Sequence, residues 1–212
     1  MKIPQGKIVI ASNNSGKVRE INELLVPYGI STLKAGDFDV EEPEETEKTF
    51  KGNALLKADY YAKVSGLPAL ADDSGLEVEA LRGDPGIYSA RWAETDNGRD
   101  FNLAMDRVEH ELNDKGVVTS EGQKGYDAEK LKANFTCALA ISFPEGSSEV
   151  FEGKVFGRLV FPARGERGFG YDPIFVADGY NITFGEMNPD EKHLISHRAE
   201  AFKLFKQKLL NG

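Results

Sequence analysis

The chain has 212 residues, 40% hydrophobic and 29% charged, a composition typical of one globular domain and not of a disordered or fibrous protein. Lys and Arg number 26 against 35 Asp and Glu, and the net charge of -9 disfavours a general nucleic-acid-binding or acidic-membrane-binding surface. No apolar run has the length of a membrane span, and residues 1–14 lack a signal-peptide pattern, so we expect a cytoplasmic protein. Cys137 is the only cysteine, so we expect no disulfide within the chain. With the negative net charge, these features predict neither a nucleic-acid nor a membrane partner.

The first predicted elements are a buried strand over residues 7–12, a turn over 13–16 and a helix over 17–25. The connecting sequence SNNSGK would place a helix N-terminus and the charge of Lys17 beside an anion such as a triphosphate. It is not a P-loop, because Ala11 and Val18 stand where that motif has Gly and Ser or Thr. A turn that only caps the helix explains the same sequence equally well.

Carboxylates dominate the next part of the chain. Residues 37–47, the acidic loop, contain seven Asp and Glu residues, and a helix over 49–64 follows. A strand over 67–71, a DDSG turn over 72–75 and a strand over 76–81 are predicted next. Asp72 and Asp73 at the end of an apolar strand would suit Mg²⁺ and the activation of a water molecule. The alternatives are a plain hairpin turn for DDSG and a solvated surface loop for residues 37–47.

The second half of the chain is predicted to be rich in strands. Residues 86–93 are interpreted as extended, 101–112 as a helix, 115–130 as a polar connection, and 134–143, 149–161 and 174–176 as strands. The glycine-rich segment RGERGFGYDP lies before the last strand, where its backbone and aromatic rings could contact a nucleobase or form a plain hairpin loop. A helix over 197–210 with Ser196 as N-cap ends the chain, and its spacing predicts Ala199, Phe202, Phe205 and Leu209 on the inward face. The order of elements indicates α/β with a mixed sheet.

Two other reactive residue types have simpler interpretations. His193 and His197 are four residues apart, but Ser196 would place them on either side of a helix start, so a zinc site is disfavoured. Cys137 lies in the apolar sequence FTCALAISF, which predicts a buried structural thiol and not a nucleophile.

Six segments occur in the order SNNSGK, NALLK, ADDSG, PGIYSARW, GFGYDP and EKHLISHR. Together they resemble the Ham1-type inosine triphosphate pyrophosphatases, also called XTP/dITP diphosphatases, over nearly the whole chain. The resemblance implies one ITPase-like α/β domain over residues 1–212, with an elongated mixed sheet flanked by helices and two lobes with a substrate cleft between them. It also implies a homodimer, Mg²⁺ as cofactor, and hydrolysis of ITP, dITP and XTP to the monophosphate and pyrophosphate.

The resemblance also assigns roles to single residues. Asp73 would be the proton acceptor and a metal ligand, and Glu45 and Asp72 would be further metal ligands. The implied substrate contacts are Ser12, Asn13, Asn14, Ser15, Gly16, Lys17, Lys57, Ser74, Arg91, Phe169, Gly170, Tyr171, Asp172, Lys192, His197 and Arg198.

Three features depart from the family pattern. The first loop has Asn13 where the family more often has Gly. Glu44 and Glu45 are adjacent, so the metal-binding glutamate is ambiguous, and Glu45 is chosen for its distance from Asp73. The connection over 115–130 is long for the family and is assigned no role.

The residues to which the resemblance assigns base recognition, Lys192, His197 and Arg198, predict selectivity for the substrate. Lys and Arg side chains only donate hydrogen bonds, so they fit the 6-oxo group of a purine and reject the 6-amino group of adenine. A Maf-like pyrophosphatase for other nucleotides and a non-catalytic nucleotide-binding protein are the alternatives. The base-reading segment disfavours the first, and the retained aspartates and lysines disfavour the second.

Overall fold

The computed structural model describes residues 6–210, so the prediction that the chain lacks a signal peptide lies partly outside the described residues. The described chain forms two compact units. Residues 6–73, 137–153 and 197–210 belong to the first unit, and Ser74–Thr136 and Lys154–Ser196 form the second. Within residues 6–210, no helix is both long enough and apolar enough to cross a membrane. The prediction of one two-lobed domain with a cleft stays a prediction.

The strands form a six-stranded mixed sheet and a short two-stranded ribbon. They are β1 (Lys7–Ile10), β2 (Ser31–Lys34), β3 (Ala69–Val78), β4 (Glu94–Thr95), β5 (Gly98–Arg99), β6 (Lys132–Ser142), β7 (Ser148–Leu159) and β8 (Phe175–Ala177). The sheet has the order β2-β1-β3-β6-β7-β8, and β4 and β5 form the ribbon. Since β1 is parallel to β2 and β3 whereas β7 and β8 are antiparallel, the predicted mixed sheet is confirmed.

Five α-helices lie between or after these strands within the described residues. They are α1 (Ser15–Leu25), α2 (Phe50–Ser65), α3 (Phe101–Asp114), α4 (Pro189–Ile195) and α5 (His197–Leu209). Polar side chains cap several of them, since Asn14, Thr49 and Asp100 each accept hydrogen bonds from amides in the first turn of α1, α2 and α3. These caps fix where the helices begin.

Each unit has its own apolar core. In the first unit, Ile10 of β1 and Leu70 of β3 pack with Ile21 of α1 and Phe205 of α5. In the second, α3 and the β-strands bury a cluster that includes Phe135, Phe175 and Phe184. The predicted inward face of the last helix is confirmed, because its apolar residues Ala199, Phe202, Phe205 and Leu209 are all buried.

Two local predictions were wrong, and two elements were missed. DDSG is not a turn, because β3 continues through it, and residues 86–93 form two 3₁₀ turns instead of an extended segment. The Ser89 hydroxyl donates to the Gly86 carbonyl at 2.6 Å, which favours the first of these turns over a strand. Strand β2 and helix α4 were not predicted; β2 has four residues without a buried face, and α4 has only seven.

Candidate functional site

Helix α2 directs two polar side chains into the first unit. The Thr49 hydroxyl caps this helix by accepting from the Gly52 amide at 3.0 Å. Asn53 and Lys57 are four residues apart on the buried face, where they are 1% and 4% exposed. Side chains spaced in this way lie one above the other on a helix, so both reach the same place in the fold.

Asp73 of β3 faces both of these side chains. The Asn53 amide nitrogen Nδ2 donates to Oδ2 of Asp73 at 3.2 Å, and Nζ of Lys57 lies 3.8 Å from Oδ1. The Asp73 side chain is 7% exposed. Each oxygen of this carboxylate therefore has its own partner from α2.

The pKa of Asp73 is raised above its ordinary value. Burial is the largest cause, because it disfavours the charged form, and the negative charges of Glu45 and Asp72 act in the same direction. Lys17 and Lys57 oppose this shift without cancelling it. A carboxylate with a raised pKa is a stronger proton acceptor, as a general base requires.

Lys57 also binds the acidic loop. Its Nζ lies 2.5 Å from Oε1 of Glu45, which is half-buried, whereas the neighbouring Glu44 is exposed. Burial acts to lower the pKa of Lys57, but Asp73, Glu45 and Asp72 outweigh it, so the pKa is raised and the ammonium stays charged. The pairing favours Glu45 over Glu44 as the functional glutamate of this loop.

Asp72 has a different environment from Asp73, although the two are adjacent. Its side chain is fully buried, with Oδ1 at 2.8 Å from Nζ of Lys17 and Oδ2 at 3.0 Å from Nε of Arg198. The Cys137 thiol donates to the same Oδ2 at 2.9 Å. Burial acts to raise the pKa of Asp72, but Arg198 and Lys17 outweigh it and hold the pKa well below its ordinary value.

Arg198 joins this carboxylate to a second one. Its guanidinium is 1% exposed and pairs with Glu20 of α1 as well as with Asp72. Burial opposes the charge of Arg198, but the two carboxylates raise its pKa further. These contacts give Arg198 a structural role, and the prediction that it reads the base receives no support from them.

The predicted phosphate loop is a capping turn in the structure. Oδ1 of Asn14 accepts from the amides of Gly16 at 3.0 Å and Lys17 at 3.1 Å, and the Ser12 hydroxyl accepts from the Asn14 amide at 3.2 Å. Asn13 donates from Nδ2 to Oε2 of Glu42 at 2.8 Å, which ties this turn to the acidic loop. The capping interpretation is thus confirmed, and the triphosphate interpretation stays a prediction.

The same turn forms one side of a groove of about 550 Å³ in the first unit. Ser12, Asn13 and Ser15 line the groove together with the basic residues Arg19 and Lys34. Hydroxyl, amide and cationic groups on one surface are suited to an anionic ligand.

The carboxylates of the first unit fit a magnesium ion. Among residues 6–210, no group of three or more His, Cys, Asp or Glu side chains is arranged to hold a metal without other ligands. Glu45 and Asp73, however, both approach the ammonium of Lys57, so two hard oxygen donors converge on one cation position. Mg²⁺ in nucleotide enzymes commonly takes one or two carboxylates and completes its shell with phosphates and water. Asp72 fits less well, because Lys17 and Arg198 already bind its oxygens.

A second polar cluster lies in the second unit. Nζ of Lys192 is 2.6 Å from Oδ2 of Asp172 and lies 5.0 Å from the centre of the Phe169 ring. The Phe169 amide donates to the same Oδ2 at 2.8 Å. Gly168 has φ +76°, and a side chain there would overlap the Asp172 carboxylate. This arrangement places an ammonium group beside an aromatic ring, and base recognition by these residues stays a prediction.

Tyr171 and Arg91 do not contact this cluster through the interactions that we observe. The Tyr171 hydroxyl donates to the Ser89 carbonyl at 2.9 Å, and burial raises the pKa of this phenol. Arg91 is exposed and stacks on Tyr88 with its guanidinium carbon 5.2 Å from the ring centre. Tyr171 therefore contributes to the core, and the substrate contacts predicted for both residues receive no support here.

The remaining predicted residues are placed as follows. Ser74 follows Asp73 in β3 and is half-buried, and Gly170 separates Phe169 from Tyr171 with φ +68°. His193 lies in α4 and His197 begins α5, so the two histidines do not share one helix face. The prediction that the two histidines lie on either side of a helix start is therefore confirmed.

The model of the Ham1 family matches residues 8–208. The chain belongs to the Ham1 family. It is 47% identical to a dITP/XTP pyrophosphatase of Brucella melitensis, covering 99% of this chain and 96% of that protein. It is 52% identical to a dITP/XTP pyrophosphatase of Caulobacter vibrioides, covering 97% of this chain and 98% of that protein. The solved structure of a HAM1 protein from Coxiella burnetii aligns with this structure at a TM-score of 0.82 and 35% sequence identity. The alignment covers 97% of this chain and 99% of the Coxiella chain, and it confirms the predicted α/β fold.

Membership of the Ham1 family does not by itself identify every residue around the carboxylates. Sequence analysis gave no role to Asn53, although its spacing from Lys57 places both on one face of α2. It also gave no role to Glu20, which lies in an amphipathic helix three positions after Lys17 and is 5% exposed. A charged residue at a buried helix position is a signal for a charged partner elsewhere in the chain.

Proposed function

We propose that the protein hydrolyses dITP, XTP and ITP to the corresponding monophosphate and pyrophosphate. The observation that carries this proposal is the convergence of Glu45 and Asp73 on Lys57, with Lys17 bound to the adjacent Asp72. Carboxylates and lysines in one site suit a metal-bound triphosphate. The names of the Brucella and Caulobacter relatives, dITP/XTP pyrophosphatases, support the same substrate class.

The cations of the first unit would bind the phosphate chain. Lys17 begins its helix next to the capping turn, where the helix dipole adds to its positive charge, and Lys57 is held as an ammonium by its carboxylate partners. Both would offset the negative charge that develops on the phosphate oxygens during the reaction. Their positions are set before substrate binds, because each is already paired with a carboxylate.

Magnesium would be held by Glu45 and Asp73 and completed by substrate phosphates. When bound, it would supply positive charge that offsets the repulsion between these carboxylates and the triphosphate. Asp72 would not hold it; its contacts assign it to positioning Lys17 and Arg198.

Asp73 would orient the attacking water and accept its proton on Oδ1, because Oδ2 accepts a direct hydrogen bond from Asn53 whereas the Lys57 ammonium lies 3.8 Å from Oδ1, beyond hydrogen-bond distance. The water oxygen forms a bond to the α-phosphorus, and the bond from this phosphorus to the oxygen bridging to the β-phosphorus breaks. Pyrophosphate leaves, and the nucleoside monophosphate remains.

The cluster of the second unit would recognise the base. The Phe169 ring offers a stacking surface, and the Lys192 ammonium donates hydrogen bonds and cannot accept them. A 6-oxo purine accepts such a bond, whereas the 6-amino group of adenine is itself a donor. This polarity supports selection of inosine and xanthosine nucleotides against ATP.

A homodimer and a cytoplasmic location complete the proposal. The homodimer rests on the family resemblance. The location is supported by the single cysteine, which is buried and cannot form a disulfide within the chain, as is usual in a reducing compartment.

The test is to incubate the protein with ITP, dITP, XTP, GTP and ATP in the presence of Mg²⁺ and to identify the products. The proposal expects IMP and pyrophosphate from ITP, with ATP hydrolysed far more slowly. Release of IDP and orthophosphate would refute the α-phosphorus assignment. Tight binding of ITP without turnover would instead indicate a nucleotide-binding protein, and a preference for other nucleotides a Maf-like activity.

A further inference from the structure

Helix α2 is linked twice to the acidic loop and twice to Asp73. Lys57 makes one pair of links, to Oε1 of Glu45 at 2.5 Å and to Oδ1 of Asp73 at 3.8 Å. Asn53 makes the other pair, because its Oδ1 accepts from the Glu47 amide at 3.0 Å while its Nδ2 donates to Oδ2 of Asp73 at 3.2 Å. Asn53, one helical turn before Lys57, therefore also connects the acidic loop to Asp73.

The partners of Asn53 fix the direction of its carboxamide. A backbone N–H can only donate and an ionised carboxylate can only accept, so the oxygen must face Glu47 and the nitrogen must face Asp73. The reversed orientation would place the amide oxygen against the carboxylate and two donors against each other. Since Asn53 is 1% exposed, water cannot readily replace either bond.

The acidic loop also packs closely on the start of α2. A Cβ atom added at Gly52 would lie 2.7 Å from Cβ of Glu47, so only glycine fits beside the loop at this point. The hydrogen bond from Glu47 to Asn53 is therefore part of a close loop-to-helix contact and not an isolated interaction. Glu45 lies two residues before Glu47 in the same segment.

We propose that Asn53 is a positioning residue that orients the Asp73 carboxylate and holds the Glu45 segment of the acidic loop against α2. The proposal rests on the proposed function, in which Asp73 activates water. Asn53 itself acts through Asp73 and Glu47 and is not assigned to the substrate.

Two substitutions separate the two bonds. Asn53→Leu removes both the donor and the acceptor at similar volume, whereas Asn53→Asp keeps an acceptor for the Glu47 amide and removes the donor to Asp73. The matched controls are Asn134→Leu and Asn134→Asp, because Asn134 in the second unit also donates to a carboxylate, Oε2 of Glu77, at 2.7 Å. All five proteins are compared by thermal unfolding before their kinetics are measured.

We expect both Asn53 variants to lose about 10- to 100-fold in kcat for ITP, with KM changed by less than about threefold, because a misplaced carboxylate slows the chemical step more than binding. The Asn134 variants should keep kcat within about twofold. Loss of kcat in the Asn53 variants no greater than in the controls, or a rise in KM at unchanged kcat, would overturn the positioning of Asp73.

Amide hydrogen exchange at Glu47 tests the loop contact without using turnover. In Asn53→Leu, the Glu47 amide should exchange at least about tenfold faster than in the unsubstituted protein, whereas Asn53→Asp should keep most of the protection. If the Glu47 amide were as well protected in Asn53→Leu as in the unsubstituted protein, the proposal that Asn53 holds the acidic loop would be overturned. If the unsubstituted protein hydrolyses none of the nucleotides, the proposed function fails, and the exchange measurement still decides whether Asn53 holds the loop.

Discussion

Asp72 and Asp73 are neighbours in β3, yet their carboxylates have pKa values shifted in opposite directions, lowered for Asp72 and raised for Asp73. Burial acts to raise both pKa values, so the difference comes from the neighbouring charges and hydrogen bonds. Asp72 has Lys17 and Arg198 at 2.8 and 3.0 Å, whereas Lys57 lies 3.8 Å from Asp73. We therefore expect Asp72 to stabilise the fold and Asp73 to take part in the reaction.

Asp73→Asn should lower kcat for ITP by at least about a hundredfold, because the amide cannot accept the proton of the attacking water. The size of the side chain is kept, so the circular dichroism spectrum should not change. Steady-state kinetics with ITP and Mg²⁺ provide the measurement. Activity within a few-fold of the unsubstituted protein would show that Asp73 is not the proton acceptor.

Asp72→Asn should instead destabilise the protein at neutral pH by about 3–5 kcal/mol, because it leaves buried cations without their counter-charge. The folded pKa of Asp72 is lowered, so its stabilisation is fully present above the ordinary carboxyl pKa of about 4 and is lost as pH falls through the folded value. The gap in unfolding free energy between the two proteins should therefore be constant from pH 7 to about 4 and narrow below. Urea unfolding at several pH values measures it, and a gap that widens on acidification would contradict this sign.

Chelation of divalent metal should abolish turnover, because the single charge of Lys57 would then have to offset both the Glu45 and Asp73 carboxylates and the triphosphate without a divalent ion. We expect no ITP hydrolysis in excess EDTA, and full recovery when Mg²⁺ is added back. Circular dichroism in EDTA serves as the control that the fold persists. Undiminished hydrolysis in EDTA would show that the lysines alone suffice.

Much of this arrangement could be predicted from local sequence, but its long-range pairs could not. Helical spacing of apolar residues is a local property, so α2 and the buried face of α5 were predicted correctly. The contact between Asp72 and Arg198 joins residues 126 positions apart, and no local pattern encodes it. The family resemblance suggested that Arg198 reads the base. The structure places the Arg198 guanidinium between two carboxylates, a position that the local sequence could not predict.

Arg198→Ala should lower the unfolding free energy at neutral pH by about 3–5 kcal/mol, because Asp72 and Glu20 would both lose the buried guanidinium that pairs with them, although Asp72 would keep its pair with Lys17. Arg107→Ala is the control, since this arginine is half-exposed on α3, where it pairs with Glu111 and lies over the Trp92 ring; its loss should be below about 2 kcal/mol. Urea unfolding gives both values. If Arg198→Ala and Arg107→Ala had equal unfolding free energies, Arg198 would not mainly stabilise the fold, and substrate binding would be its main role.

The last prediction concerns base selectivity. Lys192→Met keeps the length and apolar part of the side chain but removes the ammonium that lies beside the Phe169 ring and pairs with Asp172. A 6-oxo purine would then lose its hydrogen-bond donor in a partly desolvated site, at a cost of about 1–3 kcal/mol. The ratio of kcat/KM for ITP to that for ATP should fall roughly ten- to a hundredfold, mainly through weaker use of ITP.

The control for this variant is Lys203→Met, because Lys203 lies exposed on α5 and pairs only with Glu200 in the contacts that we observe. Its ITP-to-ATP ratio should equal that of the unsubstituted protein. Kinetics with both nucleotides are measured for all three proteins after thermal unfolding has verified their folds. An unchanged ratio in Lys192→Met would exclude its ammonium from base recognition, and an equal loss for ITP and ATP would assign it to a group that both nucleotides share, such as the phosphates.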